Sequence, residues 1–218
     1  MCGLKWVFVL AVLVVSSAES TETTLFKEDF ESGLRPLWKP VKFSGQTKYR
    51  IVREGSNSFL EGKAESSATG LAAEVKDLSP RAEISWKWKI DKVPPGASDD
   101  SKNTFDHTAR LFVAFKTLVG PPRTINYVWA NNVPAGKTFN HPSSGRSRFI
   151  SLESGNAKAG QWISEKRNIV QDWKTLFGDD DPPRIVGLGF MTDSDGTESI
   201  VTGCYDDIVL KQSGASGK

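Results

Sequence analysis

Two charged residues lie in a stretch of sequence that is otherwise suited to burial. Arg110 stands within the apolar segment 109–115, and Asp106 precedes it by four positions. A buried guanidinium needs an anionic partner, and a carboxylate is the usual one. Arg167 and Asp172 pose the same question further along the chain. Two interpretations stay open: a salt bridge that ties a loop to a sheet, or a polar site that grips the carboxylate or hydroxyl groups of a ligand.

A short aromatic segment could complete such a site. Tyr127 and Trp129 alternate with Asn126 and Val128 just before a long predicted loop. The flat C–H faces of sugars can stack on exposed aromatic rings, so this is a suitable place for a ligand platform. The alternative is that these large residues pack in the core, as aromatic residues in strands commonly do. The first interpretation predicts a ligand-binding set of Asp106, Arg110, Asn126, Tyr127 and Trp129.

Catalysis finds little support in the motifs. The sequence has no Gly-x-Ser-x-Gly, no His-Glu-x-x-His and no glycine-rich phosphate loop before a helix. His107 and His141 lie in or beside predicted loops, where an acid–base role competes with ordinary surface exposure. Paired carboxylates could hydrolyse glycosidic bonds, but that mechanism depends on their separation in space. The sequence therefore singles out none of the candidates, which are Asp99, Asp100, Asp106, Asp193 and Asp195.

The chain begins with the features of an export signal. Lys5 precedes ten consecutive apolar residues at 6–15, and small residues follow at 16–18. Ten apolar residues are too few for a membrane-spanning helix, which needs ~20. We therefore predict a signal peptide at 1–20, a single domain at 21–211 and a flexible tail at 212–218. The address that follows is periplasmic or secreted.

Charge and cysteine content narrow the possible partners. The net charge is +2, and this even balance predicts neither a nucleic-acid-binding surface nor a polybasic membrane patch. Beyond the predicted signal peptide the chain keeps one cysteine, Cys204, so an internal disulfide cannot form. We expect Cys204 to be a small buried residue rather than a nucleophile. A monomer without a transmembrane segment is expected.

Two-residue alternation dominates the domain and predicts the elements that would position these residues. Ile84, Trp86, Trp88 and Ile90 share one face of a strand, which indicates that this face is buried. About ten strands separated by turn residues indicate an all-β fold, an antiparallel β-sandwich. Besides 83–90, strands are predicted at 25–30, 48–53, 57–62, 70–76, 108–116, 124–131, 148–153, 184–192 and 199–210.

One segment breaks the alternation. Its apolar residues fall at helical spacing, and they are Ile169, Val170, Trp173, Leu176 and Phe177. Because Gly178 can end a helix, we predict one short peripheral helix over 165–177. Long loops are expected at 91–106 and 132–146, where function often resides. The dipeptide at 195–196 is Asp-Gly, which predicts a tight hairpin turn rather than an EF-hand.

Several strings resemble an exported bacterial family known as domain of unknown function 3047. They are DHTARLFVAF at 106–115, INYVWA at 125–130, EKRNI at 165–169 and MTDSD at 191–195. The resemblance covers most of residues 25–210 in the family's order. It implies an envelope or secreted domain and brings no established activity.

The two ends of the predicted domain are similar to the galactose-binding-like jelly rolls that serve as carbohydrate-binding modules. Segments 29–38 and 205–210 carry this resemblance. In those modules an early acidic side chain and a late aspartate hold a structural calcium ion. The matching positions are Glu31 and Asp206, with Asp29 or Asp207 as substitutes, and carbonyl groups of loop 54–60 could add ligands. The alternative is that both are solvated acids at strand ends.

These observations favour an exported jelly-roll sandwich that binds a glycan or another envelope polymer without catalysis, with calcium as a possible structural ion. Two alternatives stay open. In one, the protein is an enzyme acting on polysaccharide, with Asp106, His107, Arg110 or Asp193 in the catalytic machinery. In the other, it is a structural envelope protein with a protein partner, which an exposed apolar patch would indicate.

Overall fold

The chain folds into two facing β-sheets with one helix beside them. The computed structural model describes residues 23–178 and 181–212. One sheet has six strands, which are β1 (Thr24–Glu28), β3 (Lys48–Glu54), β4 (Asn57–Glu65), β6 (Ala82–Ile90), β11 (Ile163–Asn168) and β13 (Ile200–Gln212). The other has seven, which are β2 (Trp38–Ser44), β5 (Ala68–Leu78), β7 (Arg110–Phe115), β8 (Arg123–Ala130), β9 (Thr138–His141), β10 (Ser144–Ser154) and β12 (Ile185–Asp193).

Strand order confirms the predicted all-β sandwich of jelly-roll type. The six-stranded sheet runs β11-β6-β13-β4-β3, with β1 also paired to β13, and the seven-stranded sheet runs β2-β5-β12-β7-β8-β10-β9. The chain passes repeatedly from one sheet to the other, but β3 and β4 share the six-stranded sheet and β7 to β10 share the seven-stranded sheet. Neighbouring strands are antiparallel except β8 and β10, which are parallel.

The predicted signal peptide at 1–20 lies outside the described residues, and so does the predicted tail except Gln212, which ends β13. In the part of the chain that the structure describes, no helix is long and apolar enough to cross a membrane.

The core confirms the alternation read from β6. Trp86 and Trp88 are buried on the inner face of this strand, and their rings meet the seven-stranded sheet at Tyr127 (centroids 5.1 Å apart) and Trp129 (6.1 Å). Cys204 is buried as expected, and burial raises the pKa of its thiol to about 12. A thiol with so high a pKa is not a nucleophile at neutral pH.

The helix α1 (Ile169–Phe177) is shorter than predicted. Residues 163–168 form β11 instead, because they complete the edge of the six-stranded sheet by pairing with β6. Asn168 marks the change, since its side chain accepts a hydrogen bond from the backbone N–H of Gln171 and caps the helix. Gly178 ends the helix in the left-handed conformation, with φ of 74°.

Two strands and one turn differ from the sequence-based expectation. Strand β2 was not predicted because only Trp38 of its residues is buried, and β9 is a four-residue strand inside the predicted loop 132–146. The Asp195-Gly196 turn is not a hairpin turn. It carries the chain from β12 in one sheet to β13 in the other.

Candidate ligand-binding cleft

A cleft of about 260 Å³ opens where the seven-stranded sheet meets its connecting loops. Arg110 begins β7, and the next residue, Leu111, belongs to the core between the sheets. Because successive side chains of a strand point to opposite faces, Arg110 lies on the outer face of its sheet. Asp193, Asp106, His141 and the exposed ring of Phe43 line the same cleft.

The carboxylate partner predicted for the buried guanidinium of Arg110 is Asp193. Its Nη2 atom donates to both carboxylate oxygens of Asp193, at 3.1 and 3.3 Å. The same Nη2 lies 3.4 Å from Nδ1 of His107, and the guanidinium lies 5.4 Å from the ring centre of Phe149. Its Nε is buried without a hydrogen-bond partner among the described residues. The hydrogen bonds of Arg110 to side chains therefore engage only Nη2, and both Nε and Nη1 lack a hydrogen-bond partner among the described residues.

Asp106 fixes one wall of the cleft. Its carboxylate accepts hydrogen bonds from the backbone N–H groups of Gly196 (3.2 Å) and Thr197 (2.7 Å) and from the hydroxyl of Thr197 (2.7 Å). These bonds fix the turn that joins β12 to β13. Asp106 thus mainly holds the wall of the cleft. It is not the salt-bridge partner of Arg110, which pairs with Asp193.

Three carboxylates gather at this turn. Asp106, Asp193 and Asp195 place one oxygen atom each within 4.8 Å of one another. Burial raises the pKa of Asp193 to about 7; Arg110 opposes this shift and Asp106 adds to it. Burial and then Asp106 also raise the pKa of Asp195. Such a group offers strong hydrogen-bond acceptors to ligand hydroxyls and oxygen ligands of the kind that calcium prefers.

A buried His–Asp pair holds Arg110 in place. Nε2 of His107 lies 3.0 Å from Asp99, and Nδ1 faces Nη2 of Arg110. Because a guanidinium can only donate, Nδ1 must accept and the ring proton sits on Nε2. Burial lowers the pKa of His107, which keeps the ring neutral, and the charge of Arg110 acts in the same direction. With both nitrogens engaged and no exposed surface, His107 orients Arg110 and is not available to a substrate.

Asp99 in turn anchors the loop after β8. It accepts hydrogen bonds from the backbone N–H groups of Asn131 (3.1 Å), Asn132 (2.8 Å) and Val133 (2.8 Å). Burial alone would raise the pKa of Asp99, but the hydrogen bonds from His107 and this backbone hold it well below its ordinary value. The two long predicted loops are therefore joined through one ionised carboxylate.

Three of the predicted ligand residues do not reach the cleft. Tyr127 and Trp129 are completely buried between the sheets, so neither ring has a face for a ligand to stack on. The hydroxyl of Tyr127 donates to Asp172 (2.9 Å), and the indole N–H of Trp129 donates to the carbonyl of Gly155 (2.9 Å). Both residues thus pack in the core, which was the alternative to a ligand platform. Asn126 is also buried, and its amide contacts Thr124 (3.0 Å).

The cleft contains two aromatic residues that the sequence did not single out as ligand residues. Phe43 on β2 is 70% exposed, and no alternation marked its strand. His141 ends β9, with its ring 4.8 Å from that of Phe105, and burial and then Arg110 lower its pKa. The strand β9 joins the sheet by pairing with β10, and single-strand patterns do not reveal such pairing. An exposed aromatic residue in a polar segment is the one signal that could have found Phe43.

The predicted metal positions lie away from this cleft. Strands β1 and β13 are paired, as the module resemblance implied. Glu31 Oε1 accepts from the backbone N–H of Ser58 (2.8 Å), and Asp206 Oδ2 accepts from the side-chain amide of Asn57 (3.0 Å). Both acids therefore contact adjacent residues at the start of β4, within the segment 54–60 that was expected to add carbonyl ligands. Burial raises the pKa of Asp206.

The fold and the cleft define a jelly-roll β-sandwich with a polar recess on the outer face of one sheet. Residues 36–209 match the family described as "Protein of unknown function (DUF3047)". This match spans more than half of the chain, so the protein belongs to that family. The predicted membership is confirmed. A search of the curated proteins finds no match.

Solved structures similar to this chain include carbohydrate-binding modules. One is the family 11 module of the cellulosomal cellulase Lic26A-Cel5E of Clostridium thermocellum, with 14% identity, coverage of 88% of this chain and 95% of that chain, and a TM-score of 0.48. Another is the mannan-recognising module TmCBM27, with 10% identity, coverage of 88% and 98%, and a TM-score of 0.39. Cellulose induced protein Cip1 has 12% identity, coverage of 86% and 97%, and a TM-score of 0.43.

Proposed function

We propose that the cleft at Arg110 binds a glycan or a similar hydroxyl-rich envelope polymer without transforming it. The observation that carries this proposal is that Arg110 lines an open cleft with guanidinium donors that have no partner among the described residues, beside an exposed aromatic ring. An unpaired buried donor is costly, and a ligand oxygen would remove that cost. Glycans supply many such oxygens together with apolar ring faces.

Each part of a sugar finds a suitable group in the cleft. A hydroxyl oxygen can accept from the guanidinium of Arg110, while sugar hydroxyls can donate to Asp193 and Asp195. The ring of Phe43 offers a surface for the apolar face of a sugar, and His141 lies across the same recess. At about 260 Å³ the recess is slightly below the ~300 Å³ at which drug-sized sites begin. It suits one or two sugar units or the end of a chain.

One observation favours the enzyme alternative. Asp193 titrates near neutral pH beside other carboxylates, and perturbed acids in clefts are common at catalytic centres. Against this, Arg110 holds both oxygens of Asp193, and the backbone of the β12–β13 turn holds Asp106. Neither acid is free to transfer a proton to a glycosidic oxygen. The test is the release of reducing ends from a polysaccharide. If the protein releases them and a folded Asp193→Asn variant does not, the protein is an enzyme and the proposal of binding without catalysis is wrong.

We also propose export through the segment at 1–20 and a structural calcium ion near Glu31 and Asp206. The apolar run at 6–15 supports the first. The second is supported by the contacts of both carboxylates with the turn at Asn57 and Ser58, where backbone carbonyls are also at hand. Edman sequencing of the protein secreted by a host tests export.

Binding to a panel of polysaccharides tests the proposed site. Phe43→Ala and His141→Ala are expected to weaken binding about tenfold or more, because each removes a contact worth about 1.4 kcal/mol or more. Ile200→Ala is the matched control, since Ile200 is 54% exposed and does not line the cleft. A glycan that binds all these variants equally well would remove the site assignment.

A further inference from the structure

The loop between β7 and β8 presents two aliphatic side chains to solvent. Leu118 is fully exposed and Val119 is 82% exposed, which makes them the most exposed large apolar residues among those the structure describes. The proposed glycan site does not explain them, because it lies at the Arg110 end of β7 whereas this loop follows Phe115. Five strand residues separate these ends by about 17 Å.

The loop is ordered by contacts of its own. The hydroxyl of Thr117 lies within hydrogen-bond distance of the carbonyl oxygens of Gly120 (2.9 Å) and Pro121 (3.2 Å). Nη1 of Arg146 donates to the same Pro121 carbonyl at 3.0 Å. The backbone N–H of Lys116 donates to the carbonyl of Arg184 at 2.9 Å. The fold therefore holds the two aliphatic side chains outward on a fixed support.

Four cations surround these side chains. Lys116, Arg123, Arg146 and Arg184 line a recess of about 630 Å³ together with the loop. Asp77 pairs with one of these cations, Lys116, at 3.3 Å. Nη1 of Arg146 donates to a neutral carbonyl, and that bond does not offset the charge of Arg146. Among the described residues, the lining of this recess thus carries more positive than negative charge, although the net charge of the chain is only +2.

We propose that this loop docks the protein on an anionic bilayer surface. In this arrangement Leu118 and Val119 enter the headgroup region while Lys116, Arg146 and Arg184 approach lipid phosphates. Exposed aliphatic side chains flanked by cations are what an interfacial anchor requires. Because the loop and the cleft lie at opposite ends of β7, docking leaves the cleft open to a polymer beyond the membrane. Two aliphatic side chains anchor weakly, so binding depends on anionic lipid and on salt.

Vesicle co-sedimentation tests this proposal. The protein is mixed with vesicles of phosphatidylcholine alone or with one quarter phosphatidylglycerol, and every variant carries the same N-terminus, checked by mass spectrometry. We expect about tenfold tighter binding to the anionic vesicles, lost at high salt. Leu118→Ser with Val119→Ser should weaken it about tenfold or more, and so should Arg146→Glu with Arg184→Glu. Ile200→Ser and Arg53→Glu, on exposed residues elsewhere, are the matched controls.

Three results would overturn the proposal. The first is equal binding to both kinds of vesicle, and the second is equal loss in the controls and in the loop variants. The third is binding to heparin that needs Arg146 and Arg184 but not Leu118 or Val119, which would make the patch a site for an anionic polymer. Phe43→Ala, which weakens only the proposed glycan site, should bind vesicles like the parent.

Discussion

Glu165 carries the clearest electrostatic cost in the structure. It lies on β11, where its side chain is half-buried and its Oε1 has no hydrogen-bond partner among the described residues. Burial raises its pKa to about 7, and repulsion from Glu153 adds to the shift against opposing contributions from Trp88, Lys158 and Arg167. The nearby cations are already engaged, since Lys158 pairs with Glu153 and Arg167 with Asp172.

We predict that Glu165→Gln stabilises the protein above neutral pH. The folded pKa of about 7 exceeds the ordinary value of 4.5, so the folded state holds the proton more tightly than the unfolded state. Stability therefore falls as pH rises from about 4.5 to about 7 and stays lowered above it. At ~1.4 kcal/mol per pH unit the full shift is about 3 kcal/mol. Partial solvent access reduces this to about 1–2 kcal/mol.

Thermal unfolding measured by circular dichroism between about pH 5 and pH 8 checks this prediction. Glu165→Gln should melt about 2–8 °C higher than the parent at pH 8 and close to the parent at pH 5. Glu74→Gln, on an exposed glutamate of β5, is the control and should follow the parent at every pH. An equal gain at both pH values, or no gain at pH 8, would refute the electrostatic reasoning.

Two further predictions concern the supports of the fold. Asp99→Ala should lower the free energy of unfolding in urea by about 3–5 kcal/mol, because it leaves His107 and the N–H groups of the loop after β8 without their acceptor; a loss no larger than that of exposed Asp100→Ala would contradict this role. If Glu31 and Asp206 hold calcium, millimolar calcium should raise the melting temperature relative to EDTA, and Asp206→Asn should abolish the rise. An identical melting temperature in calcium and EDTA would contradict the proposed calcium site.

The sequence predicted those features that a local pattern determines. Trp86 and Trp88 are two residues apart, so they share one face of a strand, and the apolar residues on either side of them indicated that this face is buried. The sequence predicted a carboxylate partner for Arg110 because burying an unpaired charge is costly. The partner is Asp193 and not Asp106, which is closer in sequence. Helical spacing predicted the existence and the end of α1. It could not show that residues 163–168 pair with β6 as a strand.

The candidate site escaped prediction where it depends on the arrangement of strands in space. Tyr127 and Trp129 have the composition of a ligand platform, but β8 occupies the interior of its sheet and its inner face is covered by β6. Phe43 stays exposed because β2 is an edge strand, and a position at the edge cannot be read from one strand alone. His141 lines the cleft from β9, and the pairing of β9 with β10 at the edge of the sheet cannot be read from one strand either.

Chemical-shift mapping of the amide resonances with the tightest-binding glycan tests the central claim most directly. The account predicts that the shifted amides cluster at Phe43, His141, 106–110 and 193–197, which surround the cleft. It also predicts that Arg110→Lys, which keeps the charge but lacks Nε, weakens binding about tenfold or more. Shifts that cluster at the recess beside Phe59 on the six-stranded sheet, or no binding to any glycan of the panel, would contradict it.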